Sequence, residues 1–236
     1  QYFSMLVYIT IGVGIIMAAI GIIFIRPIAV AMGATAELIE YCVIYARISM
    51  ISLPGFMLQI LFQSFFVTAE KPGLSLRMSL ISGLTNVVLD FIFIVVFHWG
   101  IAGAAAATAA GELIGGFIPI IYFARENSSL LRLTRTRLYG RVLLKTCTNG
   151  LSELMTNISS SVVNMLYNFQ LMRFAGEDGV AAYGVIMYAN FIFSAIYIGY
   201  SIGSAPVVGY HYGAGNSSEL KNLVGKSLRI ISAAGL

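Results

Sequence analysis

The stretch 86-NVVLDFIFIVVF-97 holds one carboxylate, Asp90, in a run whose other residues, Asn86 apart, are all apolar. An Asp centred in a bilayer costs ~2.5–3.5 kcal/mol on insertion scales. Either something offsets that cost or the segment lies outside a membrane, and the rest of the chain decides. Of its 236 residues 58% are hydrophobic and only 10% charged, with a mean hydropathy of +0.88. A soluble domain carries about 25% charged residues. So few charges cannot cover a soluble body of this size, and much of the apolar surface must face lipid. Backbone polar groups have no water to bond there, which leaves helices or closed barrels. The apolar runs are ~20 residues or longer and do not alternate with polar residues, so they are helical. The fold class is all-α, a polytopic membrane helix bundle.

Working outward from Asp90, its span covers about 76–97 and joins the next, about 101–123, through only His98-Trp99-Gly100. So short a link makes the two antiparallel neighbours. Upstream lie spans over about 2–25, stopped at Arg26-Pro27, and about 38–68, with Pro54 as an expected kink. The connection VAMGATAELIEY separates them. Downstream, a polar stretch from Arg125 to Lys145 carries six basic residues and one acid. It is read as a linker, 125–141, between two bundles, 1–124 and 142–236. Spans over about 142–174 and 180–209 follow, then the start of a seventh helix. The chain opens QYFSMLVYIT and closes ISAAGL, each inside an apolar run, so the expectation is an internal piece of a longer protein with no signal peptide in view.

Counted by alternate connections, 11 of the 14 Lys and Arg residues fall on one side of the membrane. That side is expected to be cytoplasmic, in the cell membrane. The net charge of +4 therefore reports orientation and not nucleic-acid binding. Cys42 and Cys147 stand alone and suggest neither a disulfide framework nor a zinc site. The sequence holds no phosphate-binding loop, no H-E-x-x-H and no G-x-S-x-G, and its two histidines, His98 and His211, sit at span ends. Neither ATP use nor an enzyme is expected.

Polar residues inside the spans are ordered. Glu153, Asn157, Ser160, Asn164 and Asn168 follow at steps of 4, 3, 4 and 4, which puts them on one helical face. Tyr183, Met187, Asn190, Ser194, Tyr197, Ser201 and Ser204 do the same in the next span. Ser and Asn also serve as glue between membrane helices, at roughly 0.6 kcal/mol per bond. Two stripes with a carboxylate and tyrosines suit a wet cavity instead. Asp90 with Asn86, one turn earlier, offers two hard oxygens fit for a proton or Na⁺. Glu112 with Thr108 forms a similar pair, in a helix rich in small residues. Gln59 and Gln63, one turn apart beyond Pro54, are read as lining the same interior.

These segments together resemble the multidrug and toxic compound extrusion (MATE) family. GLTNVVLDFIFIVVFHWGIAGAAAATAAGE is similar to its fifth and sixth helices, NGLSELMTNISSSVVNMLYN to its seventh, and GYSIGSAPVVGYHYGAGN to the end of its eighth. The resemblance implies that the chain holds helices three to eight and the start of nine of a twelve-helix, two-lobe fold, with 125–141 linking the lobes. It implies a secondary antiporter that exports amphipathic organic cations or drugs in exchange for Na⁺ or H⁺, with no other cofactor. Asn86 and Asp90 match the cation site of the first lobe, and Glu153 the seventh-helix acid of some members. Substrate would meet Gln59, Gln63, Asn157, Asn164, Tyr183 and Tyr197. The first-helix acid that commonly partners Asp90 lies outside this chain, and Gly150-Leu-Ser stands where the family usually has a proline. A lipid-linked oligosaccharide flippase of related architecture is the alternative, although such proteins line their cavities with Arg and Lys, which these spans nearly lack. The oligomeric state is not legible.

Overall fold

A computed structural model describes residues 1–31 and 39–234. The helices are α1 (Tyr2–Ala31), α2 (Ile39–Thr68), α3 (Pro72–Asp90), α4 (Gly100–Ala124), α5 (Gly140–Gly213) and α6 (Ser217–Ala234). A π-helical turn, Phe91–Val96, extends α3. No strand occurs among the described residues. The chain divides into two compact units, Gln1–Tyr139 and Gly140–Leu236.

Among the described residues five helical segments are long and apolar enough to cross a membrane: Tyr2–Val30, Ile39–Thr68, Pro72–Val96, Gly100–Ala124 and Asp178–Gly213. The expected span over 142–174 is helical but is not among them. Its own polar stripe is the reason, since Asn149, Glu153, Asn157, Asn164 and Asn168 dilute the apolar residues.

In the first unit α2 packs chiefly against α1 and α4, and α3 against α4, as the short α3–α4 link requires. Small residues set these approaches. A Cβ on Gly14 of α1 would lie 2.9 Å from Pro54 Cα, and one on Gly55 would lie 3.0 Å from Leu113 Cα of α4. A Cβ on Gly116 would overlap the Gly55 backbone itself. Membrane helices lack a hydrophobic drive toward one another, so such close backbone contact is what holds them.

Helix α1 does not stop at Arg26-Pro27, as the sequence suggested, but continues to Ala31. Pro27 lacks an N–H and so removes one backbone bond, a loss that membrane helices tolerate. Arg26 also pairs across to Glu40 at the start of α2, Nη2 to Oε1 at 3.1 Å. Most of the connection between these helices lies outside the described residues.

The opposite end of the unit carries its core. Phe3, Phe62, Phe66 and Phe123 are buried together; the Phe62 and Phe123 rings stack at 5.6 Å, with Phe3 edge-on to Phe123 at 4.9 Å. The stretch read as a linker contributes to this cluster. Residues 125–139 form no helix; Leu131 and Leu133 pack on the phenylalanines, and the Leu133 N–H donates to the Phe123 carbonyl at 2.8 Å. Chain division falls at Tyr139/Gly140, so this segment belongs to the first unit as a strap across the ends of its helices.

In the second unit α5 folds back at Gly176, whose φ of 63° and ψ of −154° only glycine adopts readily. The two halves face each other: Tyr167 and Tyr183 stack at 5.6 Å and 11°. Helix α6 is tied back by Tyr200 and Ser227, hydroxyl to hydroxyl at 2.8 Å. No described residue of this unit is fully buried.

Candidate functional site

Helix α3 carries a stripe that sequence reading missed. Ser75, Ser79, Ser82, Asn86 and Asp90 follow at steps of 4, 3, 4 and 4, the same rhythm as the stripe starting at Glu153. Each serine is unremarkable alone; only the register would have disclosed the row. In the structure most of these groups meet a polar partner on α2 or α4. Gln63 Nε2 donates to Ser79 Oγ at 3.3 Å and Gln59 Nε2 to Ser82 Oγ at 3.3 Å. Ser82 Oγ in turn donates to the Gly111 carbonyl at 2.8 Å. Gln59 and Gln63 are thus half-buried in the seam between α2 and α3, their amides taken up by α3 hydroxyls.

One turn beyond Ser82, Asn86 Nδ2 donates to Thr108 Oγ1 of α4 at 3.2 Å. This joins Asn86, from the pair with Asp90, to Thr108, from the pair with Glu112. Gly111 makes the approach feasible, because a Cβ there would lie 3.2 Å from the Asn86 Cβ. Asp90 follows at the end of the α-helical part of α3. Its Oδ1 is buried and accepts no hydrogen bond from any described residue. A buried carboxylate oxygen without a donor is costly, and the cost is lifted by a proton or a cation. The π-helical turn begins at the next residue, where Phe97 N–H reaches back to the Ile92 carbonyl at 2.9 Å. Such turns are frequent at functional positions. His98 closes it in the left-handed region, at φ 55°.

Glu112 faces a different helix. Ser52 Oγ of α2, fully buried, donates to Glu112 Oε2 at 2.6 Å. Ser52 stands two turns before Gln59 on the same helix, a register that is the one sequence signal for it. No group of three or more His, Cys, Asp or Glu gathers among the described residues. Asp90 and Glu112 have different surroundings: Ser52 donates to Glu112, and no described residue donates to the buried Asp90 Oδ1.

In the second unit Glu153 is exposed, and Asn157 donates to its backbone carbonyl at 2.9 Å and to its Oε1 at 3.4 Å. Tyr183 hydroxyl donates to Asn164 Oδ1 at 2.9 Å. These two residues line a groove of about 600 Å³ with Asn168, Met187, Asn190 and Ser194. The groove joins the two polar stripes read from the sequence. Tyr197 is half-buried one turn beyond Ser194, and Glu153 and Asn157 lie outside the groove.

The family model MatE matches residues 1–92 and 154–236. The multidrug export protein MepA of Staphylococcus haemolyticus is 27% identical over 222 residues, covering 94% of this chain and 49% of that protein. Its counterpart from Staphylococcus saprophyticus is 24% identical, covering 89% and 47%. The chain spans about half the length of the curated relatives it matches. Among solved structures, "Crystal structure of MATE in the bent conformation" superposes with a TM-score of 0.81 at 19% identity, over 95% of this chain and 50% of that one. An inward-facing multidrug resistance MATE family transporter gives 0.71 at 21%, over 95% and 51%. The relatives are named as export proteins and not as enzymes. With its helices laid out as in those transporters and the family model matching well over half of its length, this chain belongs to the MatE family.

Proposed function

We propose that the chain forms part of a secondary antiporter of the cell membrane, exporting amphipathic organic cations or drugs in exchange for Na⁺ or H⁺. Its basic connections face the cytoplasm, and it uses neither ATP nor any cofactor beyond the coupling ion. The observation that carries this reading is Asp90: a carboxylate oxygen within a membrane span, buried and without a donor, one turn from an asparagine held in place by Thr108. In this reading Asp90 takes the ion, Asn86 adds a carbonyl oxygen, and Thr108 fixes the asparagine. An ion shifts a conformational equilibrium only by binding one state better than the other. The coupling step is thus a change in the surroundings of Asp90 between the two states of the transporter.

Substrate is assigned to the groove of the second unit, at Asn164 and Tyr183, with Asn157, Tyr197 and Glu153 along the same stripes. The stacked rings of Tyr167 and Tyr183 offer an aromatic face to an amphipathic cation, which cation–π attraction favours. Gln59 and Gln63 act one step removed, by holding α2 against α3.

The test is dye efflux from proteoliposomes holding the full-length protein, with pH and sodium gradients imposed separately. Asp90→Asn keeps the shape of the side chain and removes its charge. It is expected to abolish gradient-driven efflux at normal expression. Unaltered efflux from that variant refutes the coupling role.

A further inference from the structure

We propose that the strap over residues 125–139 binds the phosphate-bearing headgroup of an anionic phospholipid through Arg135 and Arg137, with Leu130 and Leu138 reaching into the apolar layer beside it.

The strap is a fixed frame. Thr134 N–H donates to the buried Ser4 Oγ at 3.0 Å, and Thr136 Oγ1 donates to the Gln1 carbonyl at 3.0 Å. The Tyr139 hydroxyl donates to the Gln1 side chain, while its ring sits edge-on to Tyr2 at 5.0 Å. Leu131 and Leu133 anchor it to the phenylalanine cluster beneath. Residues of alternate register are thereby turned outward. Arg135 and Arg137 are exposed, and neither pairs with a carboxylate among the described residues. Arg132 meets Glu126 only at 3.8 Å, on an open surface.

Arg135 is the shared neighbour along the strap, beside Gln1, Thr136, Arg137 and Tyr139 on one side and Leu130, Arg132 and Thr134 on the other. Guanidinium groups match phosphate oxygens in pairs, by two parallel N–H···O bonds. A soluble phosphate would need no more than that. The leucines argue for a lipid: Leu130 is 89% exposed and Leu138 72% exposed, at the two ends of the arginine run. The strap also lies against the N-terminal end of α1 and the C-terminal end of α4, two helices long and apolar enough to cross a membrane, so a bilayer that these helices cross has its headgroups beside the strap. Unpaired arginines flanked by outward leucines at that depth match a charged head on an acyl chain, and basic residues beside membrane helices are known to hold anionic headgroups.

The experiment titrates the purified, delipidated full-length protein with phosphatidylglycerol, phosphatidylcholine or glycerol 3-phosphate, and counts bound molecules by native mass spectrometry. Phosphatidylglycerol is expected to give a saturable first adduct that phosphatidylcholine and glycerol 3-phosphate do not displace. Arg135→Gln/Arg137→Gln is expected to weaken that adduct roughly thirtyfold, about fivefold for each surface arginine. Arg135→Lys/Arg137→Lys retains most of it, and Lys221→Gln/Lys226→Gln in α6 leaves it unchanged. Equal binding of the two lipids by the wild-type protein overturns the proposal whatever the variants do, as does wild-type affinity in the glutamine pair. Displacement by glycerol 3-phosphate would make the site one for soluble phosphate and overturn the lipid assignment. If the double variant cannot be purified, Arg135→Gln and Arg137→Gln are read singly, each against a fivefold loss. No transport step enters the assay, so its outcome is independent of the antiport reading.

Discussion

Asn86 can offer only one end of its amide to the space around Asp90. Its Nδ2 is committed to Thr108 at 3.2 Å, so the carbonyl oxygen is the end left for an ion. This gives Thr108 a role that needs no direct contact with the ion, and one that can be measured. Thr108→Val keeps the side-chain shape and removes the acceptor, releasing the amide to rotate. A membrane hydrogen bond of this kind contributes ~0.6–1.7 kcal/mol. The ion concentration giving half-maximal efflux should therefore rise about threefold to twentyfold, with the maximal rate retained. Thr108→Ser should remain close to wild type. A half-maximal concentration in Thr108→Val equal to that of the wild type would place Thr108 outside the site.

At the scale of elements, α4 is the hub of the first unit, pressed against α2 on one side and α3 on the other. Its run of alanines and glycines was legible as a close-packing helix, but which glycine meets which neighbour was not. Periodicity says that residues share a face and leaves open what lies opposite. The same limit explains Gln59 and Gln63. Their spacing places them on one face and points to a cavity, whereas α3 hydroxyls take up their amides. The partners Ser79 and Ser82 are too common in membrane helices to stand out without their register. The tightest contact, Gly116 on Gly55, carries a prediction. Gly116→Leu forces the α2 and α4 backbones apart, and overpacking of this kind costs ~1–3 kcal/mol. The thermal midpoint of the solubilised protein should fall. Gly83→Leu, on α3 with nothing within 4 Å of the added carbon, should leave it unchanged. Equal midpoints for the two variants would show that the contact is looser than drawn.

At the scale of the whole molecule, two readings of the sequence disagree about how often the chain crosses the membrane. Apolar length alone finds five crossings among the described residues, because 142–174 is diluted by its own polar stripe. The distribution of Lys and Arg finds six, because only then do 11 of the 14 fall on one side. The conflict has a physical origin. A helix lining a wet groove trades apolar residues for polar ones, so the segment with most to do with substrate is the one hydropathy reads least well. The sidedness of four positions resolves the count. A membrane-impermeant maleimide is applied to intact cells expressing the full-length protein with every cysteine replaced except Cys42 or, with Cys42→Ser added, one new cysteine. The charge rule predicts that Cys42 and Asp178→Cys react from outside, while Ser128→Cys and Ser217→Cys react only after permeabilisation. If 142–174 does not cross, Asp178→Cys falls on the same side as Ser128→Cys and is protected, and Ser217→Cys becomes reactive from outside. That exchange would remove the polar stripe from the bilayer, and with it the wet groove on which substrate binding at Asn164 and Tyr183 depends.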